Sequence, residues 1–256
     1  MLSAVLERPK IADAALSVVL FAPVGGTDLE AVVRTWLAWL DQRPGAAELL
    51  LILDGAGAER ELHLDDPRLR IIHHVAPSGL GACLQTAIWL ARHPLLLTSF
   101  ADRQFQPADA ERLFQHIDQV DIVSGSRVPG LPPLWLRGLG VVKRVLTRVL
   151  LGYAGEPRAA WLGWPGWWRR FWIRIIFGLK MRDTQSMFRL CRAEAMQRFP
   201  IQARGSFALV EVLAKANHLV GLLAEAPVPW TPPILEEPDA FWSADAATVR
   251  RDPDFG

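Results

Sequence analysis

Short runs of consecutive apolar residues recur along the chain, separated by segments with helical periodicity. The sequences LSVVLF, ELLLIL and LLLT show no alternation of apolar and polar residues, which is typical of strands buried on both faces of a parallel sheet. Strands that alternate with helices indicate an α/β fold with a mostly parallel sheet flanked by helices. The predicted strands are Leu16–Phe21, Glu48–Leu53, Arg68–His73, Leu95–Thr98, Asp121–Ser124 and Leu222–Val228.

Helix-start signals follow several of these strands. Thr27, with Glu30 three residues later, has the spacing of a capping box, and an apolar face continues from there to Leu40. Further helices are predicted to begin at Gly79-Leu80-Gly81, at Pro107 and at Ser206.

The stretch Leu95–Pro107 joins a buried strand to one of these helices and carries the most informative polar residues. Asp102 and Gln104 come just after the strand, and open α/β sheets bind ligands at the carboxyl ends of their strands. An acidic residue there is suited to hold a divalent cation against a diphosphate. The alternative is a loop aspartate that merely lies near a helix start.

The first apolar segment needs a separate interpretation. Ala14–Val24 follows Arg8 and Lys10 and superficially resembles a signal peptide. Because Asp13 lies at its edge and a capped helix follows, we interpret it as the first strand. No run of about 18 uncharged apolar residues occurs, so no segment is an obvious membrane span.

Cysteine and histidine usage bears on compartment and metal binding. Cys83 and Cys191 lie in apolar settings without C-x-x-C spacing, which favours buried thiols in a reducing, cytoplasmic compartment. The six histidines form no metal-ligand spacing, so the sequence predicts no histidine-based metal site. The net charge of +1 by itself says nothing about partners.

The distribution of charge is more informative than its sum. Between Arg127 and Arg182 there are eleven basic residues, six tryptophans and one acid, Glu156. Basic and large apolar residues interleave over Val141–Leu151 and Trp167–Leu179, as in helices that lie in a membrane interface. A buried hairpin or oligomer contact and nucleic-acid binding are the alternatives. Tryptophans beside long aliphatic residues favour a membrane surface, and we expect no nucleic acid.

Several motifs occur in a specific order over roughly residues 16–230. They are LILDG, PSGLGACLQTA, FADRQFQP, IVSGSRV, GLKMRDTQSMFRL and FALVEVLAKA followed by LLAEAPVPW. Together they resemble the family 2 glycosyltransferases with the GT-A fold, in particular the polyprenyl-phosphate (dolichol-phosphate) mannosyl- and glucosyltransferases. The resemblance implies a GT-A domain over residues 1–230, with an interface-helix insertion at 133–180. Residues 231–256 form a proline-rich tail that we expect to be extended or partly disordered.

The chain departs from the family pattern at several positions. The Asn and Glu that the family has after its first strand are absent from Phe21–Gly25. Leu53 and Phe100 replace the first Asp of the Asp-Asp-Gly turn and of the Asp-Ala-Asp turn, and Met187 replaces a Gly. The loss of an aspartate at position 100 should weaken metal binding.

The resemblance implies a role for individual residues of this chain. It implies that a nucleotide-diphosphate sugar is bound by Ala22, Asp54, Gly79, Gly81 and Asp102. It assigns Mg²⁺ or Mn²⁺ to Asp102 and Gln104, and a polyprenyl phosphate to Arg127, Arg137 and Arg189. Asp102 and Arg127 are the implied catalytic residues. A phosphate dianion needs no general base, which agrees with the absence of a strong base candidate.

Three functional interpretations follow. The first is a glycosyltransferase, peripheral to the membrane through residues 135–180, that moves a sugar from a nucleotide donor to a polyprenyl phosphate. The second is a degenerate GT-A protein that has lost catalysis and acts as a binding or scaffolding partner. The third is an active enzyme with little metal in its site, which uses Arg103 or other cations instead. Neither the sugar nor the oligomeric state follows from the sequence.

Overall fold

The computed structural model describes residues 10–22, 28–55, 62–128, 171–219, 221–231 and 242–256. Within them lies a seven-stranded sheet. Its strands are β1 (Leu16–Ala22), β2 (Ala47–Asp54), β3 (Leu69–His74), β4 (Leu95–Phe100), β5 (Ile122–Val128), β6 (Arg189–Arg192) and β7 (Leu223–Pro229). The helices are α1 (Leu29–Leu40), α2 (Leu80–Leu90), α3 (Glu111–Ile117), α4 (Ala193–Met196), α5 (Ala208–His218) and α6 (Trp242–Arg251). Residues 171–177 are also helical, and a 3-10 turn, Pro107–Ala110, precedes α3.

The central strands are buried on both faces, as the unbroken apolar runs predict. Val18 and Leu20 pack into one apolar cluster, and Val19 and Phe21 pack into a second cluster on the other face. Because side chains alternate along a strand, each central strand contributes to both clusters. The predicted α/β class is therefore confirmed.

The strand order is β3-β2-β1-β4-β6-β5-β7. All neighbours pair in parallel except β6, which is antiparallel to both β4 and β5. The strands β1, β2, β3, β4, β5 and β7 therefore all end at one edge of the sheet, which we call the carboxyl edge, and β6 begins there. The order reverses between β1 and β4, and such switch points are where open α/β sheets bind ligands.

The strand β6 is absent from the predicted elements. It has only four residues, with arginine at each end, and so it lacks an apolar run that would indicate a strand. Tertiary pairing compensates, since β6 is hydrogen-bonded on both sides and Arg189 is buried.

The expectation of an extended or disordered tail is wrong for residues 242–251, which form α6. Asp245 on this helix is buried and accepts hydrogen bonds from the backbone N–H groups of Arg204 and Gly205, at 2.9 and 2.8 Å. Trp242 packs edge-on against Phe207, with ring centroids 5.1 Å apart. A buried anchor of this kind has no signature in a polar, proline-containing sequence.

Two further predictions concern residues that lie outside the described segments. The N-cap of α1 is Asp28, whose side chain accepts from the N–H of Ala31, and Thr27 lies outside the described residues. The tryptophan-rich insertion between residues 129 and 170, with Arg137, also lies outside them. In the described part of the chain, no helix is both long enough and apolar enough to cross a membrane.

Candidate functional site

The turn after β4 places Asp102 and Gln104 at the carboxyl edge, beside the switch point. The N–H of Ala101 donates to the carbonyl of Phe21 at 2.9 Å, which ties the turn to the end of β1. Arg103, the exposed residue between the two polar side chains, has a φ of 63°, a left-handed conformation that a non-glycine residue seldom adopts. The turn thereby projects Asp102 and Gln104 to the same side.

Both oxygens of the Asp102 carboxylate are bound by Gln104. Oδ1 accepts from the backbone N–H of Gln104 at 3.1 Å, and Oδ2 accepts from its side-chain amide. Burial raises the pKa of Asp102 above its usual value, although the hydrogen bonds from Gln104 act in the opposite direction. Among the described residues no cationic side chain forms an ion pair with Asp102. A half-buried carboxylate without such a partner fits a site for a divalent cation.

Trp230, which directly follows β7, fixes the orientation of Gln104. Its indole Nε1 donates to Gln104 Oε1 at 3.0 Å, and the N–H of Thr231 donates to the Gln104 carbonyl at 3.1 Å. The amide oxygen of Gln104 is therefore turned toward Trp230 and the amide nitrogen toward Asp102. Gln104 must release these bonds before its oxygen can contact a cation held by Asp102.

Phe100 is the last residue of β4, where the family pattern has its first aspartate. It pairs in register with Phe21 and packs against the apolar cluster on that face of the sheet. An apolar side chain at this place leaves Asp102 as the one carboxylate of the turn after β4.

Trp230 also contacts Arg127, which forms a two-pronged ion pair with Asp183. Arg127 Nε lies 2.6 Å from Asp183 Oδ2, and Arg127 Nη2 lies 2.9 Å from Oδ1. The guanidinium carbon of Arg127 lies 5.3 Å from the centroid of the Trp230 ring, within cation–π range. Burial alone would raise the pKa of Asp183, but the charge and hydrogen bonds of Arg127 outweigh it, and the pKa is lowered.

The segment that carries Asp183 is held by Glu225 of β7. The Glu225 carboxylate accepts from the N–H groups of Arg182 and Asp183, each at 2.8 Å. Burial raises the pKa of Glu225 despite these hydrogen bonds. Glu225 thus fixes the backbone from which Asp183 reaches Arg127.

Arg189 lies inside the fold, with a relative exposure of 3%. Its two terminal nitrogens donate to the carbonyls of Leu209 and Thr184, at 2.7 and 2.8 Å. Burial lowers the pKa of Arg189 to about 10. This arginine joins α5 to the backbone next to Asp183, so it is placed to position that segment and not to contact a phosphate from solution.

Asp54, the last residue of β2, binds the backbone that leads into α2. Its carboxylate accepts from the backbone N–H groups of Ser78 and Gly79, both at 2.8 Å, and lies 3.3 Å from His74 Nδ1. Burial raises the pKa of the nearby Cys83 thiol to about 12, and the negative charge of Asp54 adds to the shift. Asp54 therefore shapes this corner of the carboxyl edge, next to the partly buried Ala22 at the end of β1.

Glycine is required at positions 79 and 81 by a close contact with the backbone of another segment of the same chain. A Cβ at Gly79 would lie 2.4 Å from the carbonyl oxygen of Arg204, and one at Gly81 would lie 1.7 Å from that of Ala203. The N–H of Gly81 also donates to the Arg204 carbonyl at 3.0 Å. From the sequence, we expect these glycines to allow the close approach of a nucleotide. In the structure, the loop at residues 203–204 occupies the space beside them.

The fold brings most of the predicted residues to the carboxyl edge. Asp102 and Gln104 meet Arg127 through Trp230, and Asp54, Gly79 and Gly81 cluster near the ends of β2 and β3. Sequence reasoning missed Asp183, Trp230 and His74 as site residues. Asp183 and Trp230 lie within quoted motifs, DTQSMFRL and LLAEAPVPW, but nothing in a linear pattern shows that they meet.

A mostly parallel sheet with one antiparallel strand and an acidic turn at the switch point is the architecture of the GT-A glycosyltransferases. Glucosyl-3-phosphoglycerate synthase from Mycobacterium tuberculosis, in complex with Mn²⁺, UDP and glucosyl-3-phosphoglycerate, superposes with a TM-score of 0.59. The match is 14% identical and covers 95% of this chain and 79% of that one. The same synthase with Mn²⁺, UDP-glucose and phosphoglyceric acid gives a TM-score of 0.57 at 13% identity, with the same coverage. These matches confirm the predicted GT-A fold.

In sequence, the chain is similar to an undecaprenyl-phosphate mannosyltransferase from Micrococcus luteus. The two are 25% identical over 171 residues, which are 64% of this chain and 61% of that protein. No model of a known protein family matches the chain. This sequence relative is a mannosyltransferase, and the motifs of the present chain predict the same broad class of enzyme.

Proposed function

We propose that this protein is a membrane-associated glycosyltransferase that moves a hexose from a nucleotide-diphosphate sugar to a polyprenyl phosphate. The observation that carries the proposal is the arrangement around Trp230, which contacts both Arg127 and, through Gln104, the Asp102 turn. Transfer to a phosphate needs negative charge to hold a donor-side cation and positive charge to hold the acceptor. The carboxyl edge supplies both.

On the donor side, Asp102 and Gln104 would hold Mg²⁺ or Mn²⁺. A divalent cation supplies neutralisation of the charge that develops on the departing diphosphate. Because Phe100 offers no second carboxylate, oxygens of the diphosphate and water molecules would supply the remaining ligands. Asp54 and the N-terminal end of α2 would line the nucleotide side.

On the acceptor side, Arg127 would bind the lipid phosphate. Asp183 holds the guanidinium in place, since it accepts from two of its nitrogens. A phosphate monoester is largely a dianion at neutral pH, because its second pKa is about 6, so it can attack without a general base. Arg137 of the undescribed segment is a second candidate ligand, and Arg189 supports this side from within the core.

Association with the membrane is supported by the helical residues 171–177. Ile173 is buried, whereas Trp172 and Ile175 on the outer side are 51% and 57% exposed. Exposed tryptophan beside isoleucine, continued by the basic and tryptophan-rich sequence before it, suits the headgroup level of a bilayer. A lipid-linked acceptor would be reached from such a surface.

Calorimetric titration with UDP, GDP and their sugar conjugates, with and without Mn²⁺, tests the donor site. We expect metal-dependent binding of one nucleotide that is lost in Asp102→Ala and kept in Asp65→Asn, an exposed aspartate outside the site. Transfer of sugar to a polyprenyl phosphate would then be assayed with that donor. If the wild-type chain binds no nucleotide, the scaffolding interpretation replaces the enzyme.

The variant Phe100→Asp distinguishes a metal site that has lost one carboxylate from a site that binds the donor by other means. A second carboxylate at the end of β4 should strengthen Mn²⁺-dependent nucleotide binding by at least about tenfold, a free energy of about 1.4 kcal/mol. Phe100→Asn controls for the loss of the apolar ring. Unchanged binding in Phe100→Asp would show that the donor is held by other means, for example by Arg103.

A further inference from the structure

A second group of ligand-type side chains lies at the carboxyl edge, where β2 and β3 end and α2 begins. Asp54 and His74 are the last residues of β2 and β3, and Cys83 lies on the buried face of α2. One carboxylate oxygen, one ring nitrogen and the thiol sulfur lie within 4.8 Å of one another. We propose that Asp54, His74 and Cys83 form a binding site for a borderline-soft divalent cation such as Zn²⁺.

The spacing of the three side chains suits tetrahedral coordination. His74 Nδ1 lies 3.3 Å from Asp54 Oδ1 and 3.7 Å from Cys83 Sγ. When Zn²⁺ binds O, N and S ligands at about 2.0–2.3 Å, a tetrahedral arrangement separates the ligand atoms by roughly 3.3–3.8 Å. Both distances from His74 Nδ1 fall in that range, and the Asp54 and Cys83 ligand atoms lie within 4.8 Å of each other.

The groups behind the ligands orient them toward a common point. His74 Nε2 lies 3.0 Å from Thr86 Oγ1, which leaves Nδ1 facing Asp54 and Cys83. The backbone N–H groups of Ser78 and Gly79 each donate to one oxygen of the Asp54 carboxylate and so hold its orientation. Metal-binding histidines and carboxylates are usually held by such outer hydrogen bonds.

Accessibility and donor type indicate which cation fits. The side chains of His74 and Asp54 are 15% and 22% exposed, so an ion can enter and keep a water as its fourth ligand, whereas Cys83 is buried. A thiolate and an imidazole select zinc-like cations over Mg²⁺ or Mn²⁺, which prefer oxygen. The Asp102 turn offers only oxygen ligands, so the two sites differ in the metal they select.

Titration of the chelator-treated full chain with Co²⁺, in the absence of nucleotide, tests the proposal. We expect one Co²⁺ per chain, with the charge-transfer absorption of a Co²⁺–thiolate bond that Zn²⁺ displaces and Mg²⁺ does not. Cys83→Ser should abolish the absorption, and Cys191→Ser, which removes the other buried cysteine, should retain it. Thr86→Val should weaken Co²⁺ binding by about 10- to 100-fold.

Two results would overturn the site: no thiolate absorption in the wild-type chain, or absorption that persists in Cys83→Ser. His74→Gln provides a second variant, since it removes the imidazole from a partly exposed position and leaves the core intact. Binding of Co²⁺ in this variant with wild-type affinity would also refute the proposal. Because no nucleotide or sugar enters the measurement, the result is independent of the proposed transferase activity.

Discussion

Two carboxylates whose partners, Gln104 and Arg127, both contact Trp230 have pKa values shifted in opposite directions. Burial raises the pKa of Asp102, which pairs with no cationic side chain of the described residues, whereas the ion pair with Arg127 lowers the pKa of Asp183. Divergent environments of this kind assign different roles to chemically identical groups. Asp102 is therefore suited to bind a metal ion from solution, whereas Asp183 binds the guanidinium of Arg127.

Asp102→Asn should stabilise the metal-free protein at neutral pH. Because the pKa of Asp102 is higher in the folded than in the unfolded state, ionisation of Asp102 lowers the free energy of unfolding at neutral pH. This loss of stability disappears as pH falls through the folded-state pKa. Thermal unfolding over a pH series should therefore show an increase in Tm at neutral pH that shrinks toward acid. An Asp102→Asn variant with reduced Tm at neutral pH would contradict the assignment.

The Arg127–Asp183 pair has the opposite pH dependence. Its contribution is present above the unfolded pKa of Asp183 and is lost as pH falls through the lowered folded value. Arg127→Ala should reduce the free energy of unfolding by about 2 kcal/mol, below the roughly 3–5 kcal/mol of a fully buried pair, because the Arg127 side chain is 26% exposed.

A double-mutant cycle isolates this interaction. Arg127→Ala combined with Asp183→Ala should cost less than the sum of the single variants, since the double variant leaves no unpaired buried charge. Additive losses from denaturant unfolding at neutral pH would show that the two side chains act independently.

The start of α2 is tightly constrained by its contact with the loop at residues 203–204. Gly81 packs directly on the backbone of the loop at residues 203–204, and that loop is held by Glu211 of α5 and Asp245 of α6. Glu211 is fully buried, accepts from the N–H of Ala203 at 2.8 Å and pairs with Lys215. Three helices therefore meet at one loop.

Gly81→Ala should destabilise the protein by about 3 kcal/mol, at the upper end of overpacking penalties. The added Cβ would lie 1.7 Å from the carbonyl oxygen of Ala203, and neither atom can move away by a side-chain rotation. Ala82→Gly on the next residue is the control, with a cost of about 1 kcal/mol from helix propensity alone. If chemical denaturation shows equal losses in the free energy of unfolding for the two variants, the loop at residues 203–204 can move to accommodate the added Cβ.

For the whole molecule, the exposed face of residues 171–177 predicts binding to vesicles. The chain should co-sediment with vesicles containing anionic phosphatidylglycerol more than with neutral ones, and salt should weaken the binding. The double variant Trp172→Ala and Ile175→Ser should reduce it several-fold. Leu222→Ser is the control, because this exposed residue directly precedes β7 and lies outside the helical residues 171–177. Equal binding by both variants would exclude this helix from the interface.

By itself, the sequence determined the elements whose local pattern is strong. Six strands follow from apolar runs or turn signals, and the placement of Asp102 and Gln104 follows from their position directly after one of those strands. The motifs also indicate the GT-A fold, because their order along the chain carries information that no single motif has.

Only the tertiary structure decided what depends on partners distant in sequence. The strand β6, the helix α6 and the burial of Arg189 arise from contacts with segments far along the chain, which no local pattern encodes. The contacts of Trp230 with Gln104 and Arg127 likewise arise because β4, β5 and β7 end at the same edge. The histidine spacing predicts no metal site, yet His74 meets Asp54 and Cys83, since parallel strands bring residues from separate segments to one corner.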